Sequence, residues 1–109
     1  MRILFDHGTP RGLINALQGH EVATAVSLGW DKLKNGELIK AAEEKAFDLL
    51  LTTDRRIQYQ QNLKDRRIAI LVLTGTTKWS RVRLNFESII AAVNAIAPGS
   101  YVEVYIATI

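Results

Sequence analysis

Phe47-Asp48-Leu49-Leu50-Leu51-Thr52-Thr53-Asp54 is an apolar run that stops abruptly at two hydroxyls and a carboxylate. A helical pattern precedes it and polar punctuation follows. Such a run suits a central strand of a parallel sheet covered on both faces. In open sheets of this kind ligands sit beyond the carboxyl ends of the strands, where the strand order reverses. Asp54 is expected at that edge.

Working outward, Arg2 to Asp6 is a second apolar run ending in a carboxylate. After the His7-Gly8-Thr9-Pro10 turn, a helix is expected over Arg11 to Gln18, with Leu13, Ile14 and Leu17 inward and Gly19 as its stop. His20 to Ala25 reads as a strand, followed by an irregular stretch from Val26 to Lys34. Asn35 is a good N-cap for a helix from Gly36 to Ala46 that buries Leu38, Ala41, Ala42 and Ala46 and leaves Lys40, Glu43, Glu44 and Lys45 outside. Beyond the central strand come a short helix over Arg56 to Asn62 and a strand over Arg67 to Thr74. A long amphipathic helix over Leu84 to Ala97, with Phe86, Ile89, Ile90, Val93 and Ile96 inward, stops at Pro98-Gly99. Tyr101 to Ile106 alternates polar and apolar residues, as an edge strand does. The fold class expected is α/β: a single-domain, three-layer sandwich around a mostly parallel five-stranded sheet. If its order is 2-1-3-4-5, strands one and three flank the switch point.

Composition limits the chemistry. A chain of 109 residues holds one core, and the absence of Cys excludes disulfide scaffolds, thiolate zinc sites and Cys nucleophiles. No run reaches the ~20 apolar residues needed to span a bilayer, so a cytoplasmic protein without membrane partners is expected. The net charge of +3 is unevenly spread. From Arg55 to Arg83 there are eight bases against Asp65 alone, leaving six bases against ten acids elsewhere. That asymmetry points to a polyanion-facing side, or to a solvated face that is merely basic.

Helix N-termini share a rim with strand C-termini in a parallel sheet, so Asp6, Asp54 and Glu37 are expected at one edge. Clustered carboxylates repel unless a cation or a proton is shared, and a hard oxygen set favours Mg²⁺ or Mn²⁺. Arg55 and Arg56, with Arg11 at the start of the first helix, are candidates for substrate phosphates. Each acid also has a plainer reading. Asp54 caps the following helix, Asp6 stabilises its turn, and Glu37 favours the helix dipole. His7 and the hydroxyls of Thr52 and Thr53 are candidate supports for the site, whereas His20 belongs at the opposite end. Trp30 and Trp79 read as packing or interface anchors, with base stacking open for Trp79 in its basic context.

Ile3-Leu4-Phe5-Asp6 with Pro10, Gly19-His20-Glu21-Val22, Glu37-Leu38 with Ala41-Ala42, and Leu51-Thr52-Thr53-Asp54 together resemble the short PIN-like domain family related to VapC toxins. The resemblance covers the first two-thirds of the chain. It implies a Mg²⁺- or Mn²⁺-dependent ribonuclease of toxin type beside a small antitoxin, with Asp6 and Asp54 as catalytic metal ligands; Glu37 is then the nearby catalytic carboxylate, as third ligand or water-orienting group, and Asn35 can lend a metal its neutral carbonyl oxygen. The chain departs from the pattern at Asn35, where many members carry Asp, and at Arg55-Arg56, where many carry an acid or an aromatic. A catalytically silent relative that binds nucleic acid or a protein is therefore the second expectation. A phosphoacceptor domain fits less well, because the strand-one acid is single and no Lys follows Tyr101. Tyr101 and Tyr105 on the edge strand, with Trp79, further suggest a homodimer or an antitoxin complex through the C-terminal helix and strand.

Overall fold

The structure, a computed structural model, describes residues 1–57 and 66–108. Five strands form one sheet: β1 (Arg2–Phe5), β2 (Glu21–Thr24), β3 (Leu49–Thr52), β4 (Ala69–Gly75) and β5 (Tyr101–Ile106). Their order is β2-β1-β3-β4-β5 and every pairing is parallel, so the sheet is more regular than the mostly parallel one expected. The helices bounded within the described residues are α1 (Leu13–Ala16), α2 (Asn35–Glu44), α3 (Trp79–Val82) and α4 (Phe86–Ala95), with a 3₁₀ turn at Arg83–Asn85. The helix expected over 56–62 lies outside the described residues from 58 onward. No helix among the described residues is long and apolar enough to cross a membrane.

Strand alternation builds two cores from one sheet. Ile3, Phe5, Leu49, Leu51, Ala69, Leu71 and Leu73 face α1, α3 and α4, where Leu13, Leu17, Val82, Ile89 and Val93 meet them. Leu4, Leu50, Ile70 and Val72 face α2, against Leu38, Ile39 and Ala42. Because β3 lies between β1 and β4, with Leu50 opposite both Leu4 and Ile70, all four of its side chains are buried. That double burial is why the run reads as continuous leucine rather than alternating.

The helix boundaries differ from the sequence reading for local reasons. α2 begins one residue early: Lys34 is the extended N-cap, Asn35 is the first helical residue, and the Glu37 carboxylate accepts the Lys34 amide at 3.2 Å. Ala46 is neither helical nor buried. It takes φ of +60°, while Ala46 N and Phe47 N donate back to the carbonyls of Glu43 and Ala42 at 3.0 and 2.9 Å. This is a Schellman stop with alanine where glycine is usual. Glu43 is also not a solvated residue. Its carboxylate takes the Arg66 guanidinium at 2.7 Å and the Arg67 amide at 3.0 Å, tying the end of α2 to the approach to β4. The C-terminal helix starts at Phe86, after α3 and the 3₁₀ turn have taken up the preceding residues.

Left-handed alanine carries a steric cost of about 1–2 kcal/mol that glycine does not. Ala46→Gly is therefore expected to stabilise the protein by about 0.5–1 kcal/mol after the extra freedom of glycine in the unfolded chain is set against it. A rise in the urea midpoint with an unchanged slope would bear this out; a fall would show that Ala46 has packing to lose.

Candidate functional site

At the carboxyl ends of β1 and β3, where the strand order reverses, one buried hydroxyl joins two acids. Thr52, the last residue of β3, is fully buried. Its Oγ1 donates to Asp6 Oδ2 at 2.7 Å and accepts the Asp54 amide at 3.2 Å. Asp6 prolongs the ladder through its own amide to the Leu51 carbonyl at 3.0 Å, so its carboxylate is delivered at the rim. The second oxygen of Asp6 accepts the His7 amide at 2.7 Å and its carbonyl accepts the Thr9 amide at 3.1 Å. The turn-stabilising role expected for Asp6 is thus present alongside its place at the rim.

Asp54 is more fully engaged. Its Oδ1 accepts the Arg56 amide at 2.9 Å and Arg56 Nε at 3.1 Å, while Oδ2 accepts Asn35 Nδ2 at 3.1 Å and Arg56 Nη2 at 3.3 Å. Asn35 therefore presents its amide nitrogen to the site, not the carbonyl oxygen a metal would require. The Arg56 side chain holds the Asp54 carboxyl below the ordinary carboxylate range. Burial opposes it, and the Asn35 amide and Arg56 backbone reinforce it. In turn Asp54 raises the Arg56 guanidinium above its usual value.

The other candidates are placed as follows. Glu37 shares the rim but is turned onto the first turn of its own helix. His7 is exposed and reaches Asp6 only through its backbone. Thr53 is half-buried beside the Gly8 turn, and Arg11 is exposed at the start of the α1 segment. Arg55 stands 3.9 Å from Glu103 of β5 and lines a cleft of about 590 Å³ with Thr74, Gly75 and Tyr105. His20 lies at the far end of the sheet between the Met1 amine and Asn94, in the structural role expected of it.

Among the described residues no three His, Asp or Glu side chains gather closely enough to hold a metal ion. The carboxylates are surrounded by hydrogen-bond donors rather than by one another, so mutual repulsion does not govern them. In this arrangement the residues do not fit a divalent cation: both Asp54 oxygens are occupied, Asn35 offers nitrogen, and Glu37 faces its helix. One functional group escaped sequence reasoning. Thr9 is buried and its hydroxyl donates to the Leu51 carbonyl at 3.0 Å, a role that a turn sequence alone does not betray. No protein-family model, curated protein or solved structure matches the chain. Fold and rim together define an open, doubly wound α/β domain with an internally neutralised polar switch point.

Two outcomes are expected here. Thr52→Val leaves Asp6 Oδ2 and the Asp54 amide each without the hydroxyl and should cost about 1–3 kcal/mol, whereas Thr52→Ser should recover most of it. Equal losses in both variants by urea unfolding would mean that the methyl group, not the hydroxyl, matters. The second outcome concerns pH. Because the folded carboxyls of Asp54 and Glu43 lie below their unfolded values, their stabilisation is present above about pH 4 and lost as pH falls through the lower folded values. For Glu43, burial acts in the opposite sense and is outweighed by Arg66 and the amides of Arg67 and Ile68. Arg56→Ala should accordingly lower the melting temperature near neutral pH and do so progressively less below about pH 4. A loss independent of pH would sever Arg56 from Asp54.

Proposed function

We propose that the chain is a catalytically silent PIN-like module whose switch-point rim binds RNA through its phosphates. The observation that carries this reading is the Arg56 guanidinium on both oxygens of Asp54, with the Asn35 amide beside it. The chain itself supplies the positive charge that a metal would bring. Arg56 is held in place by Asp54 while its remaining donors face solvent, an arrangement suited to a phosphate oxygen. Arg55, on the adjacent cleft, extends the same basic edge. Asp6 and Thr52 support this rim: the hydroxyl fixes where β3 ends and hence where Asp54 presents Arg56.

A second reading, a metal-dependent endoribonuclease paired with an antitoxin, is favoured by the Asp6–Thr52–Asp54 link, which carries two strand-end acids to the reversal point.

Anisotropy of a labelled single-stranded RNA separates the two. Binding is expected in the presence of EDTA and should weaken steeply with salt. Replacing Arg55 and Arg56 with Ala should reduce the log–log salt slope by about 0.7 for each phosphate no longer neutralised. Mn²⁺-dependent cleavage that Asp54→Asn abolishes would overturn the silent reading in favour of the enzyme.

A further inference from the structure

Trp79 opens α3 just beyond the loop that leaves β4, and it remains 43% exposed. Large exposed aromatics are costly to leave in water, yet this one is seated. Phe86 packs at a tilt beside it with ring centroids 5.5 Å apart. The six-membered ring of the indole rests over Gly12, where a β-carbon would collide with it. Gly12 has no left-handed backbone to explain its choice, so the absent side chain serves the seat itself. The ring is thereby pinned from below and from one side, with the rest open to solvent.

The segments that carry Gly12 and Trp79 are basic. Arg11 precedes Gly12, Lys78 precedes Trp79, and Arg81 and Arg83 follow on the same segment. Among the described residues no carboxylate forms an ion pair with any of these four. Both segments start from the rim that carries Asp6 and Asp54. The segment holding Arg11 and Gly12 follows β1 through the Asp6 turn, and α3 follows β4. Leu13 and Val82 anchor the two in the same core layer.

We infer that Trp79 is a stacking platform for a base of single-stranded RNA, with Arg11, Lys78 and Arg81 taking the flanking phosphates. A seated, exposed indole on segments whose cationic side chains form no ion pair among the described residues is the combination that single-strand binding uses: every base has a stacking face, and the backbone supplies uniform negative charge. Duplex RNA stacks its bases internally and offers none to the ring. The inference rests on the RNA reading above and extends it, naming the strand form and a second point of attachment along the rim.

The test uses intact Trp30→Phe protein, in which Trp79 is the remaining tryptophan, titrated with a short uridine oligonucleotide, with an abasic strand of equal length, and with duplex RNA. Emission should be quenched by the oligonucleotide alone. Trp79→Leu should weaken oligonucleotide binding roughly 5- to 150-fold, Trp79→Phe should recover much of it, and neither should alter affinity for the abasic strand. Gly12→Ala, which unseats the ring without touching charge, should weaken oligonucleotide binding in the same direction. Oligonucleotide binding that depends on Arg55 and Arg56 but leaves Trp79 emission and Trp79→Leu affinity unchanged would overturn the platform and spare the rim. Absence of RNA binding altogether would overturn both. Self-association lost in Trp79→Leu, with no quenching by RNA, would show that the aromatic belongs to a protein interface.

Discussion

The end of β3 is closed by hydroxyls, and the rest of the rim depends on that closure. A parallel sheet leaves amides and carbonyls at its carboxyl edge that must find partners when buried. Thr9 and Thr52 are the buried polar side chains among the described residues, and both act there, on the Leu51 carbonyl, on Asp6 and on the Asp54 amide. An apolar side chain at Thr52 would fill the space and leave Asp6 Oδ2 and the Asp54 amide without that partner, and one at Thr9 would leave the Leu51 carbonyl with the Asp6 amide alone. The leucine-rich strand holds the sheet together, but two threonines determine where it stops and which way the acids leave it.

Asp54 shows how the chain handles charge at that edge. A carboxylate in a partly dry site needs a compensating cation or several donors. Here Arg56 and Asn35 supply these from the next turn of chain and from α2. The same solution recurs at the opposite end of the sheet, where Glu43 gathers Arg66 and two backbone amides before β4 begins. Both acids are held by internal partners, but only Asp54 lies at the reversal point, where ligands of such sheets bind. On the reading proposed above, the phosphate contacts fall to the bases that these acids orient.

The bases are not equivalent. Arg56 and Arg66 are committed to carboxylates, and Arg55 is loosely matched to Glu103. Arg11, Lys78, Arg81 and Arg83 lack such partners among the described residues and lie on the two segments that carry Gly12 and the exposed indole. The surplus of positive charge evident in the composition is thus divided between groups paired with carboxylates and groups with no such pairing among the described residues.

Elements set by local pattern were legible in the sequence. The unbroken apolar run of β3, the alternation of β5 and the inward stripe of α4 each follow from a periodicity that burial imposes directly on residue choice. They also determined the three layers and the placing of residues Asp6, Asp54 and Glu37 at one edge of the sheet, though not a gathering of their carboxylates, because parallel connections place strand ends and helix starts together. What the sequence could not determine was where each polar side chain points and what it holds. Asn35 as a donor to Asp54, Glu37 turned to its own helix, Glu43 clamping the approach to β4, and Gly12 beneath Trp79 join residues from 3 to 67 positions apart. Hydrogen bonds and aromatic seats are short-ranged and directional, so these partnerships exist only once packing has fixed the backbone. Periodicity reports which residues are buried, and tertiary structure alone decides which groups they meet.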